Sequence, residues 1–201
     1  MYLTIISPIC YPYYMKQSCI LKELATIHSG YSLRNPFEEF SYPNVEWVQP
    51  SHVTAQNFFH LPRITVKLAK NITVLQTGDV LLTSRVNFKA ALISEETSVP
   101  TLASVGIWII RPNKKYLHPG FLTLWLNSGE GQKALQGLGS EFTTIKFIRK
   151  EDLEGLNIPV PPMDKQEKLA NLYTCYIKQK ILLEKRLDLQ QQLLNSLAAK
   201  L

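Results

Sequence analysis

The side chains in this sequence that could do acid–base, nucleophilic or metal chemistry are scattered. His28, His52, His60 and His118 stand apart from one another, and Cys10, Cys19 and Cys175 show no metal-ligand spacing. No Gly-rich loop of nucleotide-binding spacing occurs, and no nucleophile sits in a Gly-x-Ser-x-Gly setting. Asp79, directly after Gly78, could serve as a catalytic carboxylate, although a turn aspartate more commonly bonds nearby backbone. Catalytic residues can converge from distant positions, but no such centre is legible here.

A different chemistry recurs in three polar stretches. Residues 31–35 hold Arg34 and Asn35, residues 84–89 hold Ser84, Arg85, Asn87 and Lys89, and residues 140–146 hold Ser140, Thr143, Thr144 and Lys146. These are the groups that read DNA: arginine can make two hydrogen bonds to a guanine edge, asparagine can do the same to adenine, and Ser, Thr and Lys hold phosphates or bases. The competing explanation is that polar residues occupy loops whatever the protein does.

The elements that must position these stretches follow from periodicity and turn chemistry. Residues 19–27 suit either a short helix or a strand. Gly30 and the Asn35-Pro36 pair mark a loop, Val45-Glu-Trp-Val48 reads as a strand, and Pro50-Ser51-His52 as a turn. Alternation returns over residues 64–68. The clearest hairpin-like passage is residues 73–85, with its turn at Gly78-Asp79 and a strand over residues 80–83; residues 84–89 then connect into a further apolar run at 90–93. Residues 99–110 predict another strand. Helices are expected from His118, with Pro119 in the first turn, and over residues 130–138, stopped by Gly137 and Gly139.

The C-terminal stretch is a stop followed by a start. Pro159, Pro161 and Pro162 terminate whatever precedes them, while Asp164 and Glu167 have the spacing of a capping box. The remaining residues, without another Gly or Pro, would make roughly 57 Å of helix. Leu169, Tyr173, Tyr176, Lys180, Leu183, Leu187, Gln190, Leu194, Leu197 and Leu201 form a 4-3 seam, apolar at all but two places. That predicts a coiled coil between two copies; the alternative is an amphipathic helix lying on its own domain.

Composition agrees with one body and an appended rod. The chain has 201 residues, 45% of them hydrophobic, and 22 Lys plus Arg against 16 Asp plus Glu give a net charge of +6, which favours an anionic partner. Three cysteines suit reduced thiols in a cytoplasmic protein. The apolar N-terminal run is interrupted by Pro8 and Pro12 and is too short to span a bilayer, so no membrane partner is expected.

Five co-linear segments carry a family resemblance over roughly residues 20–170. They are Leu24-Ala-Thr-Ile-His-Ser-Gly-Tyr31, Val45-Glu-Trp-Val48, Leu75-Gln-Thr-Gly-Asp-Val-Leu-Leu-Thr-Ser-Arg85, residues 116–128, and Leu153-Glu-Gly-Leu-Asn-Ile-Pro-Val-Pro-Pro-Met-Asp-Lys-Gln166. In this order they resemble the specificity subunit of type I restriction-modification systems. The usual member carries two recognition domains and two long helices, so this chain looks like a half-size form or a fragment of a longer one. The resemblance implies a mixed α/β (α+β) target-recognition domain over residues 1–162, facing the DNA major groove, and a spacer and dimerisation helix over 163–201. It implies no catalytic centre and no cofactor in this chain: S-adenosylmethionine would sit on a partner modification subunit that methylates adenine. A restriction-translocation subunit would be the further partner in a cutting complex. A homodimer with a reader at each end of an antiparallel rod should prefer a palindromic, bipartite target in double-stranded DNA. The rival reading is an α/β scaffold with a coiled-coil tail that never touches DNA.

Overall fold

The computed structural model describes residues 18–32, 45–53, 61–64, 72–85, 87–96, 99–138 and 146–199. Arg34, Asn35, Ser140, Thr143 and Thr144 fall outside these residues, as do Cys10, His60, Leu201 and most of the alternating segment at 64–68.

The body is built around a four-stranded antiparallel sheet of β2 (Ala25–Ser29), β8 (Ile107–Pro112), β5 (Val80–Thr83) and β6 (Ala90–Leu92), in that spatial order. Its central strand β5 reads Val-Leu-Leu-Thr and is buried on both faces, which is why it lacks polar alternation. Val80 and Leu82 point to one side, with Ile27, Ala90 and Ile110, while Leu81 joins Ala91, Ile107 and Ile109 on the other.

Helices cover the first face. In α2 (Pro119–Asn127), Phe121, Leu122, Trp125 and Leu126 reach the core with Leu135 of α3 (Gly129–Leu138) and Leu153 of α4 (Lys150–Glu154). His118 caps α2 by accepting from the Gly120 backbone through Nδ1 at 3.2 Å. The second face is covered by Val48, Val53, Leu75 and Ala103. There β3 (Val45–Val48) lies between β4 (Arg63–Ile64), antiparallel, and β7 (Thr101–Ala103), parallel.

The undecided residues 19–27 prove to be both kinds of structure: β1 (Ser18–Ile20), a single helical turn α1 (Leu21–Leu24), then β2. Two expectations are corrected. The passage over 73–85 is no hairpin: Leu75 donates to Thr101 at 2.9 Å, and β5 instead pairs with β6 and β8. The run over 99–110 is two strands, β7 and β8, because Val105-Gly106 turns the chain between them, with Gly106 at φ 93°. A Cβ is disfavoured in that left-handed region, so glycine belongs there. Asp79 has the structural role. Its carboxylate takes two hydrogen bonds from Arg111, at 2.7 and 2.8 Å, and one from the Gln76 backbone at 2.8 Å. The same bonded carboxylate raises the Arg111 pKa further above its already high value.

After β9 (Asn157–Pro159), which pairs antiparallel with β1, helix α5 runs over Met163–Ala198, 36 residues or about 54 Å. It begins two residues earlier than the capping box predicts, with Pro162 rather than Asp164 as N-cap and no side-chain cap. Asp164 therefore lies inside the first turn, beside the positive end of the helix dipole. The residue that seats the helix is Gln166, 1% exposed. Its side chain accepts from the His118 backbone at 2.8 Å and donates to the carbonyls of Tyr116 at 3.1 Å and Pro161 at 2.8 Å.

Candidate nucleic-acid interface

Loop 84–89 joins β5 to β6 and is held from inside the protein. Phe88 is 2% exposed and enters the core, so its neighbours Asn87 and Lys89 turn outward. The backbone closes around Thr83: its hydroxyl donates to the Asn87 carbonyl and accepts from the Lys89 backbone at 2.8 Å. The Thr83 backbone also donates to Lys89 at 3.0 Å. Two helices clamp the far end. Gln132 of α3 donates to the Phe88 carbonyl at 2.6 Å, and the Asn127 amide both accepts from Ala90 N–H at 3.0 Å and donates to Ala90 C=O at 2.8 Å.

At the near end, Ser84 donates through its backbone to Gly106 at 2.9 Å and accepts from Ile148 at 3.0 Å, while Arg85 forms an antiparallel bridge with Phe147. The Arg85 guanidinium carbon lies 5.5 Å from the centroid of the Phe147 ring. Arg85, Asn87 and Lys89 share an open cleft of about 500 Å³ with Thr83, Pro50, Ser51, Val53, Val105 and Gly106. Three separate chain segments thus meet there: loop 84–89, the 3-10 turn Pro50–His52 and the β7–β8 turn. Among the described residues, neither Arg85, Lys89 nor Lys146 is in an ion pair with an acid.

Of the residues expected to meet DNA, Arg85, Asn87 and Lys89 are exposed and converge. Lys146 is exposed beside Phe147 but off the cleft lining. Ser84 is corrected: its side chain is 2% exposed and its hydroxyl has no partner among the described residues, so it faces the interior rather than a ligand. Ser51 and Val105 were missed. Val105, 61% exposed, adds a large apolar side chain to the lining, and the Val-Gly pair inside an apolar run was its signal.

The rod divides into two parts. Gln166, Ala170 and Ile177 are buried on the body, and Leu169 packs against the main core. Half-buried Tyr173 bonds Asn127 at 3.0 Å and stacks on Tyr176 with centroids 6.4 Å apart. Burial pushes the Tyr173 hydroxyl pKa up, partly offset by the Asn127 bond. Leu169 and Tyr173 are thus both engaged by the body. Beyond them Tyr176, Leu183, Leu187, Leu194 and Leu197 are all exposed. At 3.6 residues per turn their stripe lies roughly 120° around the helix from the body-facing one. Among the described residues no group of three metal-ligating side chains occurs, and no helix is long and apolar enough to cross a membrane.

The chain is thus a mixed α/β body with a long C-terminal helix and an open cleft lined by Arg85, Asn87 and Lys89. Residues 16–194 match the family model for the type I restriction modification DNA specificity domain, and the chain belongs to that family. Its curated relative from Methanocaldococcus jannaschii, a putative type I restriction enzyme MjaX specificity subunit, is 21% identical over 155 residues, covering 74% of this chain and 36% of the relative. The HsdS subunit from Thermoanaerobacter tengcongensis superposes with a TM-score of 0.58 at 19% identity, over 85% of this chain and 39% of that one. The S subunit from M. genitalium gives 0.58 at 14%, over 88% and 42%. A chain from a type I R-M system, solved in a study of its complex assembly and conformational transition, gives 0.63 at 21%, over 87% and 41%. The chain thus spans about two fifths of the length of these relatives.

Proposed function

We propose that this chain is the sequence-reading component of a type I restriction-modification assembly and binds double-stranded DNA through the cleft around loop 84–89. The observation that carries the reading is the convergence of Arg85, Asn87 and Lys89 on one open cleft, with no acid among the described residues paired to either cation. Burying Phe88 and clamping Ala90 prevents the loop from collapsing onto the body. Family membership and the net charge of +6 support the same assignment.

In this reading residues 1–162 recognise the target, and two copies pair through the distal half of α5 by Leu183, Leu187, Leu194 and Leu197. A two-fold antiparallel pair places one reader at each end and selects a palindromic, bipartite target. A modification subunit carrying S-adenosylmethionine supplies adenine methylation, and a restriction-translocation subunit completes the cutting complex; this chain supplies position and specificity.

The test is to co-express the chain with its modification subunit and map methylated adenines genome-wide, expecting two identical half-sites about a fixed gap. Arg85→Ala should cost about 1–3 kcal/mol of affinity for the mapped site, and Lys89→Ala should weaken binding to all sequences and lower the salt slope by about one. An Arg85→Ala complex with wild-type affinity and motif would remove the cleft from the reading. No binding to DNA at any salt concentration would favour the scaffold alternative.

A further inference from the structure

Arg85 differs from the other cations of the cleft in how firmly it is held. Its backbone lies in a β-bridge to Phe147, and the preceding residue is bonded on both sides, to Gly106 at 2.9 Å and from Ile148 at 3.0 Å. The opposing strand segment is pinned in turn, because Trp108 donates its indole N–H to the Ile148 carbonyl at 3.0 Å. The guanidinium sits over the Phe147 ring, 5.5 Å from its centroid, within cation–π range. Among the described residues its donors meet no hydrogen-bond acceptor and no ion-pair partner.

A phosphate is satisfied by a flexible point charge, as Lys89 in the same cleft provides. A guanidinium with a restricted plane is suited to a planar partner with two acceptors side by side. Among the base edges of the major groove only guanine offers such a pair, O6 and N7. Because the ring already restricts the side chain, less rotamer freedom is lost on binding. The other lining groups nearby, Asn87, Ser51 and Val105, are uncharged base-edge chemistry and not a continuous phosphate track.

We infer that each half-site contains a guanine read by Arg85, with Phe147 as the positioning residue that holds the guanidinium for it. This rests on the cleft being the DNA-reading surface. In the complex with the modification subunit, the half-site is mapped for the wild type, then for Arg85→Ala, Phe147→Leu and Phe147→Tyr, each checked for an unchanged melting temperature. Loss of the Arg85 contact should reduce discrimination at one guanine by roughly 5- to 150-fold. Phe147→Leu should reduce discrimination at that same position by roughly 2- to 5-fold, and Phe147→Tyr, which keeps the ring, should restore it. Replacing that guanine by 7-deazaguanine in a synthetic duplex should weaken the wild type and leave Arg85→Ala unaffected.

A wild-type half-site without guanine overturns the inference, as does a Phe147→Leu complex with undiminished preference. Equal weakening on all sequences by Arg85→Ala, with a lower salt slope, makes Arg85 a phosphate contact and overturns the guanine assignment while leaving the cleft as the DNA surface. No change of affinity or motif in Arg85→Ala removes the cleft itself.

Discussion

Loop 84–89 shows what can and cannot be seen in a string of residue types. Arginine, asparagine and lysine at alternate positions announce an exposed polar edge, and Asn87, Phe88 and Lys89 follow that alternation, out, in and out. Ser84 does not announce its burial, because a small hydroxyl is at home on either side of a surface; only the bonds of its backbone to Gly106 and Ile148 decide it. Asp79 was legible as a turn aspartate, but Arg111, 32 residues later, could not be paired with it before the sheet register was known. That pair brings a prediction. Asp79→Ala leaves the Arg111 guanidinium without its carboxylate and three donors without an acceptor. Because Arg111 is partly exposed, the cost should sit near the lower end for broken buried pairs, about 3 kcal/mol, read as a lowered urea midpoint.

At the scale of elements, the helices from His118 and over 130–138 and the strand ending at Arg111-Pro112 were legible because their apolar spacing is local. The β7–β8 turn and the absence of a hairpin at 73–85 were not, since both depend on which distant strand takes the available edge. The start of α5 lies two residues before the one its capping residues predict, for a physical reason. Asp164 has the right chemistry for a cap, but Gln166 contributes more by bonding three backbone groups from two segments. Close approach then completes the seat: a Cβ on Gly120 would lie 2.9 Å from the Ala170 Cβ, so α2 and α5 cross where both side chains are minimal. Gln166→Leu keeps the volume and orphans these backbone groups. It should destabilise the chain by about 3 kcal/mol in denaturant titration. Gln166→Glu should do no better, since it keeps an acceptor for His118 but loses the donor for Tyr116 and Pro161.

For the whole molecule, the seam along α5 was legible but its division of labour was not. The 4-3 spacing is indifferent to what covers it, and the body claims Leu169 and Tyr173 while Leu183, Leu187, Leu194 and Leu197 stay exposed. Near the body α5 is the amphipathic helix on its own domain, and beyond it the leucine stripe is uncovered. In the proposed dimer, pairing falls to the exposed distal part. Glutamates at Leu183 and Leu187 should shift sedimentation from dimer to monomer while leaving the melting temperature of the body unchanged, because neither residue packs on it. A dimer that survives both substitutions would move pairing to another surface.

Asn127 carries a consequence of another sort. Strand β6 is the last in its sheet, and the outward N–H and C=O of Ala90 are the groups on which an incoming strand from another molecule would template itself. The carboxamide of Asn127 offers them the same donor and acceptor that a further strand would, and so occupies the edge at Ala90. Asn127→Leu should open that edge, and refolding at high protein concentration should then scatter light where the parent chain stays clear. The residue that steadies loop 84–89 would then be, by the same two hydrogen bonds, a guard against aggregation.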